Sequence, residues 1–206
     1  MRNFILVFFT FTGILFAQID ISAGMGINFF SSSSLKDYIN YNFSFDGAEM
    51  STLNTSAEFF GEADYSVSEN FQVGIEYAYM LYSYNTNSLY YSYELSTSMH
   101  KPSLVAYHVI NGEGYKFKLG GGIGPRVAVW EEKIYSTNEY NAAGIGFLLK
   151  AQGHTLLSDN VYANIGVDLR YDAPGKFEEN ANNSIISETD FNSIIFGIKL
   201  GVSYFF

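Results

Sequence analysis

Apolar and polar residues alternate along most of this chain with a period of two, the signature of strands with two unlike faces. The clearest case is the C-terminal stretch. Ile194, Phe196, Ile198, Leu200, Val202, Tyr204 and Phe206 form one apolar face, against Ile195, Gly197, Lys199, Gly201, Ser203 and Phe205. Seven further stretches follow the same rule: about Ile19–Phe29, Thr55–Ser66, Asn70–Tyr82, Tyr93–Val109, Tyr115–Trp130, Ala142–Leu156 and Val161–Tyr171. No segment beyond residue 18 sustains a helical period. Pro102 has no N–H to give to a ladder, so it predicts a bulge or interruption in the fourth strand, with a change of side-chain phase near it. The faces of that strand are therefore left unassigned.

The connections alternate in length. About Phe30–Asn54, Ser83–Ser92, Glu131–Asn141 and Asp172–Asp190 are long, whereas Val67–Glu69, Ile110–Gly114 and Leu157–Asn160 are short. A strand of about 9–11 residues spans a bilayer, and the C-terminal strand is long enough. It also ends on an aromatic of its apolar face, and so resembles the C-terminal sorting strand of Gram-negative outer-membrane β-barrels, with Ile198, Leu200, Val202, Tyr204 and Phe206 as the sorting face. Short periplasmic turns and longer extracellular loops are the rule in such barrels. Eight strands with both termini in the periplasm give four outer loops and three inner turns, which is the observed order. The chain thus resembles the OmpA/OmpX/OmpW-like superfamily: an all-β, eight-stranded antiparallel up-and-down transmembrane β-barrel spanning residues 18–206. The resemblance implies residence in the outer membrane of a Gram-negative bacterium, contact with outer-membrane lipids, and the barrel-assembly machinery as a partner during insertion. No peptidoglycan-binding domain follows the barrel, so cell-wall anchoring is not implied.

Alternation alone does not say which face looks inward. A soluble lipocalin-like barrel turns its apolar face in, and a membrane barrel turns it out. The membrane arrangement is favoured by polar faces rich in glycine (Gly24, Gly26, Gly120, Gly122, Gly124, Gly144, Gly146, Gly197, Gly201), which suit a crowded lumen. Aromatics also gather at strand ends: Tyr65, Phe71, Tyr107, Tyr115, Phe117, Tyr204 and Phe206 on the turn side, and Tyr79, Tyr82, Tyr84, Tyr90, Tyr91, Tyr93 and Tyr171 on the loop side. In this arrangement Glu58, Glu62, Asp64, Glu76 and Asp168 share the lumen with Lys116, Lys118, Arg126, Lys150, Arg170 and Lys199. Eight strands leave an interior just wide enough for side chains, and buried charges persist when paired. A paired polar plug is expected, with a narrow ion path as the competing reading.

Composition agrees. In 206 residues, 18% are aromatic, 16% are charged and none is cysteine. The mean hydropathy of +0.03 is far below that of a helical membrane protein. The absence of cysteine excludes a disulfide framework and a cysteine-linked lipid anchor. Arg2 followed by the apolar run Phe4–Phe16 and the small Ala17 reads as a cleaved secretory signal over residues 1–17, with a retained anchor as the alternative. Lys and Arg number 11 against 21 acids, a balance that argues against a nucleic-acid partner.

Candidate chemistry is sparse. Gly120 to Pro125 looks like a phosphate-cradling loop, but it continues a strand phase and opens no helix. His100, His108 and His154 lack metal-ligand spacing. His154 with Ser158 and His100 with Ser98 are the conceivable nucleophile–base pairs. Glu178, Glu179, Glu188 and Asp190 match no calcium loop, and Ser31–Ser34 reads as flexible. No catalytic residue, cofactor or metal is assigned. The expected function is a structural or surface-interaction barrel acting through the loops at Phe30–Asn54 and Asp172–Asp190. A passive carrier or narrow pore for small molecules, and a lipid-modifying enzyme, are the alternatives.

Overall fold

The computed structural model describes residues 18–44, 49–87, 92–179 and 189–206. The expected signal segment 1–17, Tyr90, Tyr91 and Glu188 lie outside the described residues. The elements are β1 (Ile19–Ser31), α1 (Ser33–Phe43), β2 (Asn54–Ser68), β3 (Phe71–Asn87), β4 (Ser92–Gly112), β5 (Tyr115–Lys133), β6 (Thr137–Ser158), β7 (Val161–Ala173), the two-residue β8 (Glu178–Glu179) and β9 (Ser193–Phe205).

Each long strand pairs antiparallel with its neighbours, and the ring closes through β1–β9, β9–β7 and β5–β6. At the seam Ile21 stands opposite Tyr204 and Ile27 opposite Ile198. The Phe206 amide donates to the Ile19 carbonyl at 3.1 Å. Two of the tight turns use left-handed residues, Gly114 (φ 75°) and Asp159 (φ 44°), which a two-residue hairpin requires. All the tight turns lie at one end of the barrel, the turn end. The long connections lie at the other, the loop end.

The strands are turned inside out relative to a soluble barrel. Leu200 is 60% exposed, whereas its neighbour Lys199 is 1% exposed. The outward residues of β5 are apolar from Tyr115 to Val129 and give way to Glu131. Such a belt with charges inside is the arrangement of a transmembrane β-barrel. Close approach explains inward glycines: a Cβ at Gly24 would overlap the Leu200 carbonyl, and one at Gly120 the Ala106 carbonyl.

Several sequence expectations need correction. β3 continues five residues past Tyr82, and β6 starts five residues before Ala142. Strands need not stop where the apolar face ends, because ladder bonds continue above a lipid belt. At Pro102 the phase does not shift: residues 93 to 109 alternate inward and outward without a break. Tyr77 pairs with Pro102 in an unbroken β3–β4 register. On the β5 side the expected interruption is present. No pairs form between His100↔Val127 and Leu104↔Ile123, where the same register sets Pro102 opposite Pro125. Two facing prolines remove the donors on both strands. Tyr107, Tyr93, Tyr82 and Tyr84 do not belong to lipid-facing aromatic rings; the first three point inward and are buried, and Tyr84 is half-buried against the same inner cluster.

The largest correction concerns the first long connection. Ser33–Phe43 is a helix, with Ser32 extended at its N-cap and its carbonyl accepting from the Lys36 amide at 3.1 Å. Leu35, Tyr38, Ile39 and Phe43 fall on one face at helical spacing and are buried. This face caps the loop end of the lumen.

Candidate functional site: a plugged lumen, a capped mouth and a raised rim

Seven carboxylates and seven cations share the lumen: Asp20, Glu58, Glu62, Asp64, Glu76, Asp168 and Asp172 with Lys101, Lys116, Lys118, Arg126, Lys150, Arg170 and Lys199. Their side chains are almost wholly buried, Lys116 being the most open. At the turn end Lys116 and Lys118 meet Asp20 at 2.8 and 3.1 Å, and Lys118 meets Asp64 at 2.8 Å. Midway, Lys150 bridges Glu62 and Glu76, each at 2.5 Å. Tyr107 donates to Glu62 at 3.0 Å. Arg170 joins Glu76 at 2.7 Å to Asp168 at 2.8 Å. Lys199 joins Asp168 at 2.6 Å to Glu58 at 2.5 Å. Above them Lys101 pairs with Glu58, and Arg126 pairs with Asp172.

Two connected groups of ion pairs therefore fill the barrel, four residues at the turn end and ten above them, each with as many carboxylates as cations. Burial of a lone ion costs several kcal/mol, on the order of 3–5 when one partner is removed. Equal numbers and shared partners make such a filling tolerable. Lys150 and Lys199 also lie 5.1 and 5.3 Å from the Phe60 ring, and Lys116 lies 3.8 Å from the Phe205 ring.

All eleven charged residues that sequence assigned to the lumen face it: Glu58, Glu62, Asp64, Glu76, Lys116, Lys118, Arg126, Lys150, Asp168, Arg170 and Lys199. The structure adds Asp20, Lys101 and Asp172. Asp20 sits on the polar face of β1, at its very end. Lys101 lies in the strand whose faces were unassigned. Asp172 falls within β7 rather than in the following loop.

Above the ionic plug the filling becomes aromatic. Tyr38 meets Trp130 edge-on at 5.6 Å, and Phe43 stacks on Tyr93 at 3.8 Å. Phe30 meets Tyr82 at 4.8 Å and Phe191 at 5.6 Å. Phe177 meets Trp130 at 4.8 Å. Helix α1 and the Phe177 and Phe191 flanks of the last long connection thus fold into the mouth. Of the two loops that the sequence offers as interaction sites, these described parts fold inward as a lid.

Glu132 lies under this lid, beside Glu131 at the level where the apolar belt has ended. It accepts from the Tyr38 hydroxyl at 2.8 Å. Burial raises its carboxyl above the ordinary value, partly opposed by the tyrosine hydroxyls. Burial and the neighbouring carboxylate push the Tyr38 phenol well up.

Four strands continue past the lid. β3 pairs with β4 out to Asn87↔Ser92, and β5 with β6 out to Lys133↔Thr137. The β2–β3 pairing stops at Ala57↔Leu81, and the β6–β7 pairing at Ile145↔Ala173. A four-stranded sheet therefore rises above the rim. Among the described residues, Tyr82–Asn87 of β3 and 137–139 of β6 have a ladder partner on one side only.

The conceivable catalytic pairs do not form. The His154 ring contacts Ser203 at 3.0 Å, not Ser158, and Ser203 contacts Ser22 at 2.7 Å, all within the lumen. His100 contacts the Tyr77 hydroxyl at 2.6 Å, not Ser98. Gly120 to Pro125 lies within β5. Among the described residues, no group of three or more His, Cys, Asp or Glu is placed to hold a metal.

No family model and no curated protein matches the chain. Solved structures do. Neisserial surface protein A (NspA) superposes with a TM-score of 0.55 at 14% identity, over 91% of this chain and 97% of that one. Ail, the attachment invasion locus protein of Yersinia pestis, gives 0.52 at 13%, over 91% and 97%. The outer membrane protease OmpT of Escherichia coli gives 0.51 at 10%, over 92% and 96%. At such identities the likeness is one of fold: this chain has the β-barrel fold of outer-membrane proteins.

Proposed function

We propose that this is an outer-membrane surface protein whose lumen is structural and whose loop end is an interaction platform. The observation that carries the reading is the double closure of the barrel, by the neutral ionic plug and by the aromatic lid. A carrier or pore needs an open route, and both ends of the lumen are filled by the protein's own side chains. The apolar belt supports membrane residence. The long connections support placing the loop end outside the cell.

The platform is acidic. Asp37, Glu49, Glu94, Glu131, Glu139, Glu178, Glu179 and Asp190 stand at the loop end against Lys36, Lys133 and Lys176. The raised sheet adds the free β3 edge, whose backbone groups are open to strand addition by an extended partner segment. Tyr41 and Tyr135 project from the lid helix and the β5–β6 turn, both almost fully exposed. These features together fit a basic, extended polypeptide. One Ail structure holds the heparin analogue sucrose octasulfate; the acid excess at this rim argues against a polysulfated ligand for this chain.

Cells displaying the protein, incubated with labelled polylysine and with labelled heparin, test the reading. Binding of polylysine that falls with salt, and that is lost when Ser83–Asn87 and Ser92–Ser96 are replaced by a tight turn, is expected. Heparin binding, or polylysine binding unchanged by the shortened hairpin, would overturn it. Although OmpT shares the fold and is a protease, the Ser203–His154 contact lies inside the plugged lumen, away from lipid and solvent. A His154→Ala strain is expected to keep its lipid acylation pattern.

A further inference from the structure

The outward faces of β3 to β6 can be compared row by row, because their registers are continuous. On β3, β5 and β6 the lipid-facing residues stay apolar up to Leu81, Val129 and Ala143. β4 departs from this. Ser98 lies between Leu81 and Val129, and His100 lies between Tyr79 and Val127. Ser96, one row higher, is level with Ser83 and Glu131. A polar groove thus runs down the outer wall into the belt, with taller apolar side chains on both sides. Its upper part is a notch of about 370 Å³.

The polar groups of this groove are only partly used by the fold. The hydroxyls of Ser96 and Ser98 make no side-chain hydrogen bond among the described residues. The Tyr77 hydroxyl holds His100 at Nδ1, and Tyr79 stacks obliquely at 4.8 Å. The other ring nitrogen therefore remains available to a ligand. An ionisable side chain on a lipid-facing wall is costly unless something supplies it with hydrogen bonds. Immediately below, at the interrupted β4–β5 ladder, Pro102 and Pro125 floor a second notch of about 440 Å³ whose walls include Ile75, Leu104, Ile123 and Ile145. That notch is apolar.

The vertical order is hydroxyls and imidazole above, hydrocarbon below. It matches an amphiphile standing in the outer leaflet. We infer that the β3–β5 wall binds one outer-leaflet glycolipid, its sugar or amide groups on Ser96, Ser98 and His100 and an acyl chain in the proline notch. Glu131 beside the upper notch disfavours a phosphate there and favours neutral hydroxyl-bearing groups, while Glu94 above it is paired with Lys133 at 3.4 Å. The inference rests on the proposed orientation, with the loop end outside the cell.

The test uses the whole barrel in nanodiscs made with phospholipid alone or with added outer-membrane glycolipid, read by native mass spectrometry after mild detergent exchange. The wild type is expected to retain glycolipid in preference to phospholipid. The combined Ser96→Leu, Ser98→Leu and His100→Phe variant is expected to lose it by roughly tenfold or more, as removal of two or three hydrogen bonds predicts. A heat-dependent gel shift in both proteins establishes that the variant is a closed barrel. Equal retention by wild type and variant, or equal retention of phospholipid, overturns the proposal. So does oxidative cross-linking of two Ser98→Cys copies in the membrane, which would make the groove a seam between barrels. Recovery of the wild type as a soluble protein without a gel shift would overturn the membrane reading itself, and is distinct from those results.

Discussion

The guanidinium of Arg126 stands behind Pro102 and closes the one break in the β4–β5 ladder. Its Nη1 donates to the Pro102 carbonyl at 3.1 Å, the Pro125 carbonyl at 2.9 Å and the Ser103 hydroxyl at 3.2 Å, while Nε pairs with Asp172. Two facing prolines leave carbonyls without amide partners inside a membrane wall, where each unsatisfied group costs several kcal/mol. A planar fork with five donors serves several acceptors at once, which an ammonium group does poorly.

Arg126→Ala is therefore expected to destabilise the barrel by about 3–5 kcal/mol, because Asp172 loses its close partner and the carbonyls lose their donor. Arg126→Lys should recover part of this by restoring charge without the fork. Urea unfolding in lipid vesicles, followed through Trp130, measures both. Equal stability of all three proteins would show that the break needs no closure.

The ionic plug predicts a second asymmetry. Glu58 holds Lys199 at 2.5 Å, pairs with Lys101 and lies 3.7 Å from Arg170. Glu58→Gln should leave excess positive charge and cost about 3–5 kcal/mol. Adding Lys101→Met should return part of that stability. A double variant less stable than the single would contradict the pairing.

The lid should respond to pH through Glu132. Its carboxyl is raised in the folded protein, so the folded state holds the proton more tightly than the unfolded chain does. Its contribution is fully present below the ordinary glutamate value and is lost as pH rises through the raised value. Hydrogen exchange of Ser33–Phe43 should accordingly speed up across that window, and Glu132→Gln should abolish the dependence in the slow, acid-side state. A lid that loosens on acidification would refute the assignment.

Tyr38→Phe removes the bond from the lid to Glu132 while keeping the ring against Trp130. A charge-assisted bond of this kind contributes about 1.5–3 kcal/mol. Faster exchange confined to α1 is expected, with global unfolding little changed. An unchanged helix would mean that its aromatic contacts alone hold it.

Seven of the long strands were legible because each has one almost purely apolar face; the outer face of β4 carries Ser96, Ser98 and His100, and its phase was not legible. The lumen residues followed because, in a membrane barrel, the polar face is the inner one. Pro102 was half legible: a missing donor predicts a broken ladder, but only the partner strand shows that Pro125 completes the break and that the phase is kept. Helix α1 was hidden by its start, since Ser31 to Ser34 looks like a flexible linker. The spacing of Leu35, Tyr38, Ile39 and Phe43 was the available signal. Tyr82, Tyr84, Tyr93 and Tyr107 count among the strand-end aromatics of the sequence, yet all four turn inward, because position along a strand does not show which aromatics fill the lumen.

The central claim is that the lumen is closed and the outer end carries the function. Single-channel recording of the refolded, heat-shifting barrel in a planar bilayer addresses it most directly. The account predicts no stepwise conductance in neutral salt from the wild type, none from Glu58→Gln while the aromatic lid still closes the mouth, and its appearance only when Glu58→Ala is combined with deletion of Ser33–Phe43. Steady open-channel steps from the wild-type protein would contradict it.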